Sequence, residues 1–359
     1  MPSPSTPIVP VFSRWQRLDI PEPLPHVYGG SDIVGAASIG AGYVAVGSVI
    51  GGCCDGGFST DSHGVVWRSA DGITWQLEPR TAVFDLAHLV GLASNGHRLV
   101  AIGATITDDA GLATYHGSVW TSDDGLAWQR QAVEPMFNAV TATADGFVAA
   151  TGGSEGPEVW ASTDGLHWSL VVTSSALGPG VVEAMAATPA GTVAVGSGSP
   201  ADASMPVAAA WRSVDGVQWL LALSQPSLAG ASMDAIAVSG SSIVAVGNDA
   251  GFGAAVWRSE DGLTWTRALG SAMAVAGTSI LGVVGGRRGF IVVGSIEGNI
   301  PGRIAWQSAD GIAWSELDAP AGLGVDRLTG VQAGDAIVLF TRVFDERLGR
   351  AVPQAWAVR

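Results

Sequence analysis

Lysine is absent from the sequence. All seventeen basic residues are arginine, set against thirty-two acidic ones, for a net charge of -15 over 359 residues. A chain this acidic lacks the basic face that nucleic acid or an anionic membrane surface requires, so neither is expected as a partner. No run approaches the length of apolar sequence that spans a bilayer, so membrane insertion is not expected either. The opening MPSPSTPIVP lacks the basic start and apolar stretch of a cleavable signal. Residues 1–10 read as a disordered or linker-like segment of the kind left when a signal or anchor is trimmed, which favours an extracytoplasmic origin over a cytoplasmic one. Cysteine is nearly missing: Cys53 and Cys54 are the only two, and they are adjacent. Neighbouring cysteines cannot supply the C-x-x-C spacing of good zinc sites. A metal held with His63 and Asp55 or Asp61, a vicinal disulfide, and inert thiols all stay open.

What the chain has in quantity is apolar residues, at 47%, and an internal repeat. Self-similarity at 40 to 50 residues favours one large repeat fold over two ordinary domains, and a single domain is expected over 11–359. One phrase occurs six times: VWRSADGITW (from Val66), VWTSDDGLAW, VWASTDGLHW, AWRSVDGVQW, VWRSEDGLTW and AWQSADGIAW, ending at Trp314. The Ser69 to Gly72 segment fits a type I turn closed by a left-handed glycine, the usual three-residue hairpin loop. Counting outward, Trp67 would face Trp75 as a cross-strand pair. The aspartates Asp71, Asp124, Asp164, Asp215, Asp261 and Asp310 would bond turn amides, a structural role.

Upstream of each hairpin stands a short apolar run bounded by glycine: GYVAVGS (Gly42), RLVAIGA (Arg98), GFVAATG (Gly146), GTVAVGS (Gly191), SIVAVGN (Ser242), GFIVVGS (Gly289) and a seventh, DAIVLFT (Asp335). Each has a further strand candidate before it. Four strands per unit, here a to d, repeated radially, make a β-propeller. Six hairpins use twelve of the fourteen tryptophans. Trp15 reads as a strand d with no c before it, and Trp356 as a strand c with no d after it, so one blade is built from both termini. The expected fold is all-β, a seven-bladed β-propeller of four-stranded blades closed by an N-terminal strand d.

The hairpin resembles the Asp-box, or BNR repeat, of sialidases and other propellers, whose usual form S-x-D-x-G-x-T-W is one residue longer than the S-x-D-G-x-x-W here. The resemblance implies the propeller fold and spans nearly the whole chain. It leaves function open, since such propellers include glycosidases, binding proteins and assembly factors. Sialidases add an Arg-Ile-Pro motif, an arginine triad and a Tyr/Glu nucleophile pair. Here Arg303 and Ile304 are followed by Ala305, and the only tyrosines are Tyr28, Tyr43 and Tyr115.

Function is sought where the repeats disagree. Aligned strands a (SDIVGAA, AHLVGLA, FNAVTAT, VEAMAAT, MDAIAVS, TSILGVV, DRLTGVQ) place Asp32, His88, Asn138, Glu183, Asp234, Ser279 and Arg327 in one polar column. Strand a is innermost, so these seven are expected to ring one mouth of the channel. Asp32 between Arg327 and His88 could set the charge of an imidazole, and Glu183 beside Asp234 could hold one raised pKa. The connection ATITDDAGLATYHG adds Asp108, Asp109, Tyr115 and His116. The expected function is a hydrolase or lyase with Glu183, Asp234, His88 and Asp32 as acid and base candidates, and Asn138, Ser279, Arg327, Tyr115 and His116 as ligand contacts. The alternatives are a non-catalytic glycan or small-ligand binding propeller and a protein-interaction scaffold, for which a broad apolar patch on one face is expected. A small-molecule or glycan ligand and a monomer are expected. No cofactor is indicated, and a divalent metal stays open.

Overall fold

The computed structural model describes residues 11–23, 29–51, 62–109, 112–152, 156–198, 207–222, 225–249, 253–268, 277–296, 302–324 and 326–359. Cys53, Cys54, Asp55 and Asp61 lie outside the described residues. The described chain forms seven antiparallel sheets of four strands, each ordered a-b-c-d. Blades 1 to 6 follow in chain order, from Gly29 to Leu77, Ala87 to Ala132, Phe137 to Val172, Gly180 to Leu221, Ala231 to Arg267 and Thr278 to Leu317. Blade 7 takes strands a to c from Asp326–Ala333, Ala336–Asp345 and Arg350–Val358, and its strand d from Trp15–Leu18. Strand a of each blade touches strand a of the next, and that of blade 7 touches that of blade 1, so the ring closes. Trp15 and Trp356 meet edge to face in the shared blade, with ring centroids 6.3 Å apart. Both termini are sewn by backbone bonds as well, Ser13 N–H donating to Arg359 C=O and Arg359 N–H to Arg14 C=O.

The core lies between blades. Each of seven apolar clusters joins strand b of one blade to the strand-c tryptophan or aromatic residues of the next, as Val44 and Val46 of blade 1 join Trp120 of blade 2. Val193 and Val195 of blade 4 likewise join Trp257 of blade 5. Trp67, Trp120, Trp211, Trp257 and Trp306 are all fully buried. Burying an aromatic ring of this size is worth on the order of 4–6 kcal/mol of transfer free energy. The indole N–H must then find an acceptor. Trp67, Trp120, Trp211 and Trp257 donate to the carbonyls of Pro21, Val83, Leu177 and Ser227, in the connection leading into their own blade. Blades 1, 2, 4 and 5 are thereby hydrogen-bonded to the segment that leads into them, whereas Trp160 and Trp356 donate within their own blades, to Glu158 and Gln354.

The Asp-Gly hairpin differs from the three-residue loop. Strands c and d pair Trp67 with Leu77 and Arg68 with Gln76, so Trp75 belongs to the loop and does not face Trp67. The cause is the side-chain network inside the turn. Asp71 Oδ1 accepts from the backbone N–H of Ile73 and Thr74 and from Ser69 Oγ, while Ser69 Oγ accepts from Gly72 N–H. These bonds hold a wider loop that takes in three further residues, Ile73, Thr74 and Trp75, and the Trp75 indole folds back to donate to Gly72 C=O at 3.0 Å. The same indole-to-glycine bond recurs in all six hairpins. Among the described ring contacts none joins the two tryptophans of one hairpin. Trp75 instead meets Phe340 of blade 7 edge to face at 5.1 Å.

The turn glycines take the left-handed conformation expected of them, φ +75° at Gly72 and +79° at Gly311. They also press on the neighbouring blade: a Cβ on Gly72 would come within 2.3 Å of Ala333 Cβ, and one on Gly262 within 2.5 Å of a Val193 methyl. Gly72→Val should therefore cost about 1–2 kcal/mol from backbone strain alone, with the clash adding to it. A thermal melt unchanged from the parent would refute this account of the turn. Acid should act on the same turns. The hydrogen bonds from Thr74 and Ile73 hold the Asp71 carboxyl down from its ordinary 3.8 to about 2. At Asp261 and Asp310 burial pushes upward, and the hydrogen bonds outweigh it. A depressed carboxylate contributes stability that is present above its ordinary value and lost as pH falls through the folded one. Denaturant unfolding should show stability falling as pH drops from about 4 toward about 2, with a smaller fall in Asp71→Asn.

Candidate functional site

The innermost strands carry a feature that the aligned column does not reveal. In every blade the pairing of strands a and b is broken by a β-bulge. In blades 1, 2 and 6, Ile33, Leu89 and Ile280 face Gly47, Gly103 and Gly294 just before it. In blades 3, 4 and 5 the residues at that level are Phe137, Val182 and Met233, facing Thr151, Gly196 and Gly247. The seven residues therefore do not form one ring. Asp32, His88 and Ser279 precede the bulge by two positions, whereas Asn138, Glu183 and Asp234 are the bulged residues themselves. The level of Asp32 is filled in blades 3, 4 and 5 by Met136, Val181 and Ser232. Arg327 lies in a wider irregularity between Asp326 and Thr329, with left-handed φ of 52°. A bulge re-aims the side chain it carries, and at Asn138, Glu183 and Asp234 that side chain is exposed.

All seven stay at the end of strand a where strand b finishes and its connection to strand c departs. They fall into two groups on opposite sides of the mouth. Blades 7, 1 and 2 bring Arg327, Asp32 and His88 within electrostatic reach of one another. Burial lowers the His88 pKa from its ordinary 6.5, Asp32 pulls it back up, and Arg327 pushes it down. Asp32 is itself buried, with Oδ1 accepting from Ser48 N–H at 3.2 Å. Ser48 Oγ in turn accepts from Leu89 N–H at 2.8 Å, so Asp32 sits in a strut linking blades 1 and 2. Tyr115, half exposed on the extended hairpin of blade 2, meets His88 edge to face with centroids 6.4 Å apart. His116, next along, pairs with Thr105, and its Nε2 lies 3.0 Å from Thr107 Oγ1. Successive strand residues face opposite ways, so the structure brings Tyr115 to His88 and turns His116 from it.

Blades 4 and 5 supply the acidic side. Burial raises the pKa of Glu183, and the charge of Asp234 raises it further. Its exposed side chain keeps part of its hydration, so the raise stands on the two causes together. Asp234 Oδ2 accepts from Asn248 Nδ2 at 2.7 Å. Asn248 was not singled out from the sequence, although it closes the phrase SIVAVGN where blades 1, 4 and 6 carry serine. Asn138 lies over Gly152, where a Cβ would come within 2.2 Å of its Nδ2. Among the described residues no three His, Cys, Asp or Glu side chains group as they would around a metal ion. No described helix is long and apolar enough to cross a membrane.

No family model matches the chain, and no curated protein matches it in sequence. Solved structures do. One described as "YCF48 bound to D1 peptide" superposes with a TM-score of 0.57 at 14% identity, over 99% of each chain. The WD40 repeats of RRP9 give 0.56 at 13% identity, over 96% of this chain and 97% of that one. Trypanosoma rangeli sialidase in complex with the inhibitor DANA gives 0.50 at 13% identity, over 93% of this chain but 55% of the sialidase. At these identities the likeness is one of fold. The chain is a β-propeller with sialidase and WD40 propellers among its structural neighbours.

The two groups can be tested separately by NMR titration. His88 should titrate below 6.5, and Arg327→Ala should move it upward, since a repelling charge is removed. Glu183 should titrate above the ordinary glutamate range, and Asp234→Asn should bring it down. Shifts of the opposite sign would dissolve the pairing of these residues across blades.

Proposed function

We propose that the chain is an Asp-box propeller that binds a ligand at the strand-a mouth without turning it over, through a cationic group received by Glu183 and Asp234. The observation that carries this reading is the exposed Glu183 carboxyl, raised by burial and by Asp234. A carboxyl raised by burial and a neighbouring negative charge gains from an incoming positive charge, which offsets both. Arg327, His88 and Tyr115 face the same ligand from the opposite side, and Arg327 suits an anionic or carbonyl oxygen there. Asn138 and Ser279 stand between the groups. An amine or guanidinium at one end and an anionic or polar group at the other describes a peptide with a basic residue or an amino-sugar. The propeller neighbour described as bound to a peptide is in keeping with the former. The overall charge of -15 draws cations toward the molecule from a distance.

An acid/base reading rests on the same carboxyl. A carboxyl whose pKa is pushed upward beside a second carboxyl is what a glycosidase or lyase acid uses, and it would make Glu183 the proton donor, with Asp234 and His88 as further acid and base candidates. The readings part on one experiment. Fluorescently labelled basic, neutral and acidic hexapeptides are titrated into the protein, beside assays for release of product from glycan substrates. Binding of the basic peptide alone, weakened about tenfold or more by Glu183→Gln and by Asp234→Asn with unfolding free energy within about 1 kcal/mol of the parent, supports the binding propeller. Product release abolished by Glu183→Gln replaces it with the enzyme. If both variants unfold, the pair is structural and both readings fall.

A further inference from the structure

The outer rim of blade 4 is poor in charge and rich in exposed apolar side chains. Between Asp164 and Asp234 the only charged residues are Glu183, Asp202, Arg212 and Asp215. Glu183 faces the channel mouth. Asp215 is absorbed in its hairpin, accepting from Val217 N–H, Gln218 N–H and Ser213 Oγ. The Arg212 guanidinium is turned onto the Ala190 carbonyl. Among the described residues the outward side chains also include large apolar ones: Val214 is 71% exposed, Leu220 60% and Val217 51%, with Asp215 and Gln218 exposed beside them. Strand d of this blade, Trp219–Leu221, has one edge paired with strand c and is the outermost strand of its sheet. Four other rims guard that edge with charge, Arg17 in blade 7, Arg130 in blade 2, Arg267 in blade 5 and Glu316 in blade 6, while strand d of blades 1 and 3 is uncharged. Charged residues on an outer strand are the usual defence against edge-to-edge pairing, and blade 4 has none. Beside the strand opens an apolar cavity of about 320 Å³, lined by Leu177, Val207, Trp211, Leu221, Ala222 and Leu228 among others.

We propose that this rim is a self-association surface, through which two copies of the chain pair their Trp219–Leu221 edges antiparallel about a twofold axis. The proposal is independent of the ligand site, which lies at the channel. Charge selects the occupant. Two molecules that each carry -15 repel wherever acidic faces meet, and strand d of blade 4, Trp219–Leu221, carries no charge of its own, the nearest carboxylate in sequence, Asp215, lying in the hairpin before it. A basic partner would gain nothing from this face and much from the others. Antiparallel pairing of a strand with its own copy is self-complementary, as a twofold interface requires. It would satisfy the free backbone groups of the edge while covering Val214, Val217 and Leu220, with the cavity beside Leu221 offering room for an incoming side chain. The adjoining strand d of blade 3, Ser169–Val172, is likewise uncharged with Leu170 exposed, and extends the apolar surface.

Sedimentation equilibrium of the full chain at micromolar concentration tests this directly. A mass of twice 36.4 kDa is expected, and because the two copies repel at long range the dimer should tighten as salt is raised. Leu220→Glu should weaken dimerisation by about a hundredfold or more and leave the melting temperature of the monomer unchanged, since the side chain is exposed. Leu126→Glu, at another exposed position on the rim of blade 2, should leave the dimer intact. A chain that stays monomeric at high salt overturns the proposal, as does a dimer indifferent to Leu220→Glu or one equally disrupted by Leu126→Glu.

Discussion

Each blade depends on its neighbour, and the dependence is concentrated in one side chain, the strand-c tryptophan. A four-stranded sheet of this size cannot bury enough surface alone, so strand b of one blade and the indole of the next share a core. The indole N–H then has to be satisfied in that dry interface, and the carbonyls of Pro21, Val83, Leu177 and Ser227 do so. Those carbonyls sit in the connections that lead from one blade to the next. In those four blades the apolar contact and the chain connection are thus held in register by a single hydrogen bond, and tryptophan there serves both.

The two ends of the barrel use carboxylates in opposite ways. At the hairpin end, Asp71 and its five counterparts are surrounded by backbone and hydroxyl donors and are held in the ionised form. At the other end, Glu183 has partial burial and a neighbouring negative charge, and is pushed toward the neutral form. The same functional group is structural where donors converge on it and chemically available where they do not. The bulge in strand a is what separates the two fates, because it turns Asn138, Glu183 and Asp234 out of the ladder in blades 3, 4 and 5.

Seven blades and their closure were legible because the tryptophans count them: Trp15 and Trp356 had no other place to go. The hairpin register was not legible. Trp75 looks like a strand residue by spacing, and only the bonds inside the turn, which its own indole completes at Gly72, draw it into the loop. The inner column was read in part. Gly35, Gly91, Gly282 and Gly330 mark a common level in four blades, but blades 3, 4 and 5 carry Ala139, Ala184 and Ala235 there, and with no glycine to anchor them their strands were aligned two residues late. The grouping of Arg327, Asp32 and His88, and of Glu183 with Asp234, survives that shift because it depends on blade order. His116 was drawn to the mouth by its neighbour Tyr115, and alternation along the strand turns it away.

Blade 7 joins a strand made before blades 1 to 6 to one made more than three hundred residues later. Until Arg350–Val358 has left the ribosome, Trp15 has no partner ring, and blades 1 and 6 each present an unmatched flank. The contacts that complete the molecule have the greatest sequence separation in it, and such contacts form slowly because a long loop must be closed before they give any return. The strand that waits is only four residues long, WQRL, with Gln16 and Arg17 exposed. A short, polar waiting strand offers little surface for wrong pairing during that interval, so the delay inherent in closing the ring falls on the segment least able to misuse it.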